Sequence, residues 1–340
     1  MSGYKTIIKK FSRQKVLVVG DIILDRYIRG GVSRISPEAP VPVVLEQDFS
    51  YQPGGAANVA HNLAVMGAHV TQVGRIGNDF EGQLLKRDLK RKGIGISGIF
   101  FDKNAPTITK TRVIAQNQQV VRIDREKTDA AFGRETRQRI KTFITKYVPE
   151  CDGVIVSDYG KGMISPELVD LLREETGRAG IPLTVDPKVE HFGRYRGVTC
   201  ITPNLKEAEN AIRNIKIQES RGSKLALRSD KLNSMKDIEF AGEKLLDFLE
   251  LDSLLITLGE QGMRLFEKGK TPFAIQTRAR DVYDVTGAGD AVISVFTLAL
   301  MAGADKRRAA ELANYAAGVV VARMGAVAVT PEELFAATEE

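Results

Sequence analysis

The chain has 340 residues, 43% of them hydrophobic and 27% charged, which is enough apolar material for a large core and excludes both disorder and a fibrous repeat. Its formal net charge is +6, but Lys and Arg are spread along the chain among acids, a pattern that suits a small anionic substrate better than nucleic acid. The longest apolar run, Ala291 to Ala304, contains Ser294 and Thr297 and falls short of the roughly 18 residues a membrane-spanning helix needs, so no membrane partner is expected.

Met1 to Phe11 carries basic residues without an apolar stretch, so nothing there reads as a secretion signal. Lys15 to Gly20 is a continuous apolar run ending in Gly, the pattern of a buried parallel strand. Asp21 to Asp25 follows it in place of a glycine-rich turn, which weakens a dinucleotide-binding reading. Asp21 and Asp25 stand where α/β sheets place ligands and can accept hydrogen bonds from sugar hydroxyls; a capping or turn role is the alternative. From Tyr27 to Gln52, Gly30, Gly31, Pro37, Pro40 and Pro42 interrupt β-branched pieces, predicting irregular strands outside the main sheet.

Gly54, Gly55 and Asn58 open a helix running to about Met66, where small residues let a ligand approach the amides. Strand Val70 to Val73, helix Asp79 to Lys92 and strand Ile96 to Phe101 continue an alternating order. Gly93 to Gly98 matches a dinucleotide fingerprint in letters but follows a helix and precedes a strand, the reverse of the required context. Pro106 to Asp124 reads as a hairpin turning at Asn117-Gln118, forming with 27–52 a small β lid. Lys110, Arg112 and Arg122 are spaced to share one face of it, either converging on an anion or guarding an exposed edge.

An amphipathic segment from Phe132 to Tyr147 leads to strand Gly153 to Ser157, a polar loop containing Asp158 and Lys161, helix Pro166 to Arg178, and strand Pro182 to Asp186. Acids and lysines at Asp25, Asp158, Lys161, Asp186 and Lys188 recur at strand C-termini, where a doubly wound α/β fold assembles its active site. Strand Val198 to Thr202 precedes Asn204 and Glu207, spaced as a capping box or as ligands of a nucleotide site. Cys151 and Cys200 each adjoin a strand and read as reduced core thiols of a cytoplasmic protein. His61, His69 and His191 do not cluster, giving little support to a zinc site.

The polar, weakly periodic stretch 215–235 reads as a surface insertion. Helix Lys236 to Leu249, strand Ser253 to Leu258, a turn at Gly259 to Gly262 and two short strands to Gln276 restore the sheet. Asp284 to Asp290 then places Gly287, Ala288 and Gly289 before the apolar helix Ala291 to Met301, an anion cradle made of unpaired helix amides. A carboxylate beside such a cradle suggests proton abstraction next to a phosphate, or else simple capping. Lys306 to Arg323, with Asn314, is a last small-residue helix.

Gly54-Gly55-Ala-Ala-Asn58-Val-Ala60 with Gly67 and Gly77 resembles the first signature of the ribokinase (PfkB) family of sugar kinases, and Asp284 to Asp290 resembles the second. The likeness covers nearly the whole chain and implies a single ribokinase-like domain over 1–340, a doubly wound, mostly parallel sheet with a β lid. Ser33 to Pro42, Pro106 to Lys110, Asn117 to Gln119, Ser157 to Lys161 and Val282 to Asp290 resemble the branch acting on D-glycero-D-manno-heptose 7-phosphate. That implies transfer of a phosphoryl group from ATP to the anomeric hydroxyl, for lipopolysaccharide precursor synthesis.

The resemblance further implies Asp290 as base, near its ordinary pKa of roughly 4, with the amides of Gly287, Ala288 and Gly289 on the phosphoryl group. Asp25, Gly54, Gly55, Asn58, Lys161 and Asp186 would meet the sugar. Arg112 and Arg122 are assigned to its distal phosphate. Asn204, Leu205, Lys206 and Glu207 would serve the ATP phosphates, Glu207 through Mg-bound water, while Thr257, Gly259, Gly262 and Asn314 would border the nucleotide. Asp284 and Thr286 match a potassium site of some relatives. Relatives pair through the lid, which implies a homodimer. Relatives fused to a nucleotidyltransferase domain exist; none follows here, implying the stand-alone kinase. Two departures stand out: Ala291, where Thr is common after the base, and the length of 215–235.

Overall fold

The structure, a computed structural model, describes residues 2–127, 133–218, 225, 231–278, 282–325 and 327–339. Helix α1 (Ser2–Ile8) and strand β1 (Lys15–Gly20) come first, followed by two fourteen-residue strands, β2 (Ile22–Ile35) and β3 (Pro42–Gly55). Helix α2 (Ala56–Val65), strand β4 (His69–Gly77), helix α3 (Phe80–Arg91) and strand β5 (Gly95–Asp102) lead to the hairpin β6 (Ile108–Ala115) and β7 (Gln118–Arg125). Next come α4 (Arg134–Tyr147), β8 (Gly153–Ser157), α5 (Pro166–Ala179), β9 (Leu183–Asp186), β10 (Cys200–Ile201), α6 (Leu205–Gln218), α7 (Met235–Phe248) and β11 (Ser253–Thr257). Strands β12 (Met263–Glu267) and β13 (Phe273–Ile275) precede helices α8 (Ala288–Met301), α9 (Lys306–Val321) and α10 (Pro331–Glu339).

Among the described residues nine strands form the main sheet in the order β13-β12-β11-β10-β9-β8-β1-β4-β5, antiparallel only where β12 meets β11 and β13. Residues of β1 alternate between two layers: Val16 and Val18 pack with α2, α8 and α9, while Leu17 and Val19 pack with α4 to α7. Burial on both faces is why this strand reads as continuous apolar sequence. The chain proceeds from β1 outward to β4 and β5, then returns to β8 on its other side. A crevice therefore opens beyond the C-terminal ends of β1 and β8.

The lid is a separate sheet, β3-β2-β6-β7. Irregular pieces were expected over 27–52, yet β2 and β3 are continuous, their irregularity confined to register shifts at Arg29/Gly30 and Val32/Arg34. A long antiparallel partner sustains the pairing, and Pro42 sits at the first residue of edge strand β3, where no ladder bond is lost. The hairpin turns at Gln116 and Asn117, with φ of 52° and 61°, one residue before the expected Asn117-Gln118. Two positive φ values in succession match the right-handed twist of the strands.

Of the expected insertion, 215–218 continues α6, and 219–224 and 226–230 lie outside the described residues. Leu225 and Leu232 are buried in the layer with α6 and α7. Strand β10 is shorter than the expected 198–202. Helices α1 and α10 were not anticipated, although Thr330 and Glu333 bond each other's backbone as a capping box that the letters Thr-Pro-Glu-Glu signal.

Candidate active site

Gly287, in the left-handed region at φ 81°, starts α8 without any side-chain cap. The helix therefore begins at Ala288, three residues earlier than expected, and Asp290 lies in its first turn. Asp290 is 7% exposed. Its carboxylate makes long-range bonds instead of capping: Asn58 Nδ2 donates to Oδ2 at 2.6 Å and the Tyr159 hydroxyl to Oδ1 at 3.0 Å. Burial pushes its pKa up from 3.8 to about 6, against the pull of those two bonds. The value near 4 expected for this group is thereby corrected; desolvation on the helix floor is the reason.

On the lid side, Asp25 in β2 meets Arg112 of β6, with Nη1 at 2.5 Å from Oδ1. Gly54 faces that carboxylate so closely that a Cβ there would stand 2.1 Å from Asp25 Oδ2. Gly55, at φ 58°, closes β3 and opens α2, which puts Asn58 within reach of Asp290. Lys110 and Arg112 alternate along β6, and Arg122 is the direct register partner of Arg112, so the three cations share a face. Arg122 forks onto Asp124 at 2.9 and 3.0 Å, and the Lys161 ammonium lies 2.7 Å from Glu126 Oε1.

Asp21, weighed in the sequence as a sugar ligand, is buried and committed elsewhere. It accepts the backbone amides of Tyr159, Lys161 and Met163, each at 3.0 Å. It anchors the loop after β8. Asp158, also buried, accepts from the Tyr195 hydroxyl and lies 2.6 Å from His191 Nδ1.

On the other side of Asp290, a cavity of about 870 Å³ joins Gly287, Ala288 and Gly289 to Asp186, Asn204, Leu205, Lys206, Glu207, Thr257, Gly259, Gly262 and Asn314. Asp25, Gly54, Gly55, Asn58, Arg112, Arg122, Lys161, Asp284 and Thr286 are not among its walls. Asn204 and Glu207 cap α6 reciprocally, at 2.8 and 2.9 Å. Burial, together with the charges of Asp290, Glu207 and Asp158, pushes the Asp186 carboxyl well up. Burial raises Glu207 as well, opposed by its bonds to Asn204. Gly262 admits no side chain, since a Cβ would lie 2.0 Å from the Ile275 carbonyl. Asn314 donates to the Gln276 carbonyl at 2.8 Å.

Asp284 accepts from Thr286 N and Oγ1 at 2.9 and 2.7 Å and from Gly325 N at 2.9 Å, tying the loop to the segment after α9. Among the described residues no three His, Cys, Asp or Glu side chains gather as a metal site. Sequence reasoning assigned no role to Tyr159, whose position next to Asp158 in the polar loop was its only signal. It likewise missed the His191–Asp158–Tyr195 cluster, which joins separate segments.

Residues 13–333 match the family model described as pfkB family carbohydrate kinase. The chain is 43% identical over 330 residues to the bifunctional protein HldE of Desulfatibacillum aliphaticivorans, covering 97% of this chain and 64% of that protein. It is 42% identical over 318 residues to the HldE of Geobacter sulfurreducens, covering 94% and 61%. The chain thus spans less than two thirds of the length of these relatives. Arabidopsis thaliana ribokinase complexed with ribose and ATP superposes with a TM-score of 0.71 at 18% identity, covering 96% of this chain and 99% of that one. Escherichia coli phosphofructokinase-2 in complex with potassium gives a TM-score of 0.75 at 16% identity, covering 96% and 98%. These two likenesses establish a shared, ribokinase-like fold.

Proposed function

The chain belongs to the pfkB family of carbohydrate kinases, and from that premise we propose that it moves the γ-phosphoryl group of ATP to the anomeric hydroxyl of D-glycero-D-manno-heptose 7-phosphate, giving the 1,7-bisphosphate. The observation that carries this reading is Asp290. It is a buried carboxylate in the first turn of α8, with a nucleotide-sized cavity on one side and the cationic lid face on the other.

In the proposed reaction Asp290 takes the proton of the acceptor hydroxyl while the new O–P bond forms and ADP leaves. The amides of Gly287, Ala288 and Gly289 face the charge on the transferring group, where positioning and electrostatics do most of the catalysis. Asp25, Gly54, Gly55, Asn58, Lys161 and Asp186 are assigned to the sugar, and Arg112 and Arg122 to its distal phosphate. Asn204, Leu205, Lys206, Glu207, Thr257, Gly259, Gly262 and Asn314 are assigned to the nucleotide.

Glu207 borders the cavity, and a cation held there through water would offset the burial that disfavours its carboxylate form; Mg2+ keeps most of its waters when protein-bound. Such an ion would supply charge neutralisation to the phosphates of the nucleotide. Asp284 and Thr286 are the candidates for a potassium site; their oxygens are close together at the mouth of the α8 loop. The resemblance to heptose 7-phosphate kinases and the similarity to HldE support the acceptor assignment. A homodimer through the lid and a cytoplasmic location complete the reading, the latter supported by two buried free thiols, Cys151 and Cys200.

The test is a panel assay with ATP and Mg2+, in which heptose 7-phosphate should be phosphorylated well above ribose and fructose 6-phosphate. Preference for either of the latter two would identify a different sugar kinase of the family. Asp290→Asn should lower kcat by roughly 10²- to 10⁴-fold with sugar binding retained, and undiminished turnover would remove Asp290 from the role of base.

A further inference from the structure

We propose that Tyr159 is a positioning residue for the base: its hydroxyl holds one oxygen of Asp290 and keeps that carboxylate ionised and aimed toward the acceptor. The inference rests on the reading of Asp290 as base.

Among the described residues each oxygen of Asp290 has one donor, Asn58 Nδ2 at 2.6 Å and the Tyr159 hydroxyl at 3.0 Å. A carboxylate offers about four lone-pair sites, so one on each oxygen stays open to an incoming hydroxyl. With one oxygen held from α2 and the other from the loop after β8, turning the carboxylate breaks at least one of these bonds. Tyr159 is itself fixed, since its backbone amide bonds the buried Asp21 at 3.0 Å. The lid reaches the same ring: the Lys110 ammonium stands over it, 5.5 Å from the centroid.

The groups facing Asp290 come from every neighbouring element. Asn58 lies on α2, Tyr159 on the loop after β8, Asp25 on β2, Lys110 on β6 and Asp186 at the end of β9. Burial opposes ionisation of Asp290, as Asp25 does, and the two donors with Lys110 favour it; the Asp290 charge in turn pushes the Asp186 carboxyl up. Burial and the charges of Asp290 and Asp186 hold the Tyr159 hydroxyl well above its ordinary pKa, so it remains a donor throughout the neutral range.

Tyr159→Phe keeps the ring under Lys110 and removes only the donor. A hydrogen bond to a charged group is worth enough that its loss should shift the acid limb of kcat/KM to higher pH by about one unit. The rate should fall roughly tenfold below that limb and recover at pH 8 and above. Carboxylate ¹³C NMR on the sugar-free protein should show the same upward shift of Asp290. A uniform loss at every pH, or an unmoved limb with an unmoved NMR titration, would overturn the proposal. If the NMR titration shifts but the rate profile does not, Tyr159 holds Asp290 while the base reading fails. Loss of turnover in Asp290→Asn alongside an unmoved NMR titration leaves the base in place and removes Tyr159.

Discussion

At the residue scale, Asp290 shows what desolvation does to a helix-floor carboxylate. With its pKa at about 6, the carboxylate form that the proposed role as base requires grows as pH rises through that value, so kcat/KM should climb to a plateau above pH 7 and fall about tenfold per unit well below 6. The same shift acts on stability with a definite sign. The folded state binds the proton more tightly than the unfolded chain, whose Asp titrates at 3.8. Ionised Asp290 therefore costs the fold about 3 kcal/mol above pH 6, a cost absent below about pH 4. Asp290→Asn should accordingly melt higher than the wild type at pH 8, by about 1 kcal/mol or more after the loss of one accepted bond, and the gap should narrow at pH 5. Thermal melting at the two pH values checks this, and an Asn variant less stable at pH 8 would contradict it.

At the element scale, two short segments owe their shape to single carboxylates. Asp21 satisfies three amides of the loop after β8, so Asp21→Ala leaves three donors without their acceptor and should cost about 3 kcal/mol or more. It should also lower turnover, because Tyr159 rides on that loop. Denaturant unfolding and a single-pH rate assay read both effects, and an unchanged unfolding midpoint would show that the loop holds itself. Asn204 and Glu207 meet both sequence readings at once: they cap α6 and they border the cavity. Gln at the same position also caps, so Glu207→Gln separates the two. Its stability should stay within about 0.5 kcal/mol while the Mg2+ concentration needed for half-maximal rate rises; a large loss of stability with unaltered Mg2+ dependence would leave only the cap.

At the scale of the whole molecule, the lid has two unlike faces. Asp25, Tyr27, Lys110, Arg112 and Arg122 share one by register, and Phe49, Val121 and Ile123 share the other, exposed at 53%, 47% and 56%. An apolar sheet face left in water favours covering by a second lid. Ile123→Lys should shift sedimentation from dimer to monomer, and a wild type that is monomeric at micromolar concentration would remove the lid interface. The parallel sheet was legible because strands such as β1 and β8 are buried on both faces and read as unbroken apolar runs between helical periods. The glycines and Asp290 were legible because close backbone approach and a carboxylate beside helix amides demand those residue types in sequence. Local pattern thus determined the fold class, the alternation of strands and helices around the main sheet and the place of Gly287 to Gly289 at the start of α8. Tertiary structure alone decided that Asp21 belongs to a loop, that Tyr159 reaches Asp290, that Lys161 meets Glu126 and that the Asp290 carboxyl is pushed up to about 6, because each depends on groups remote in sequence and on burial that no local window records.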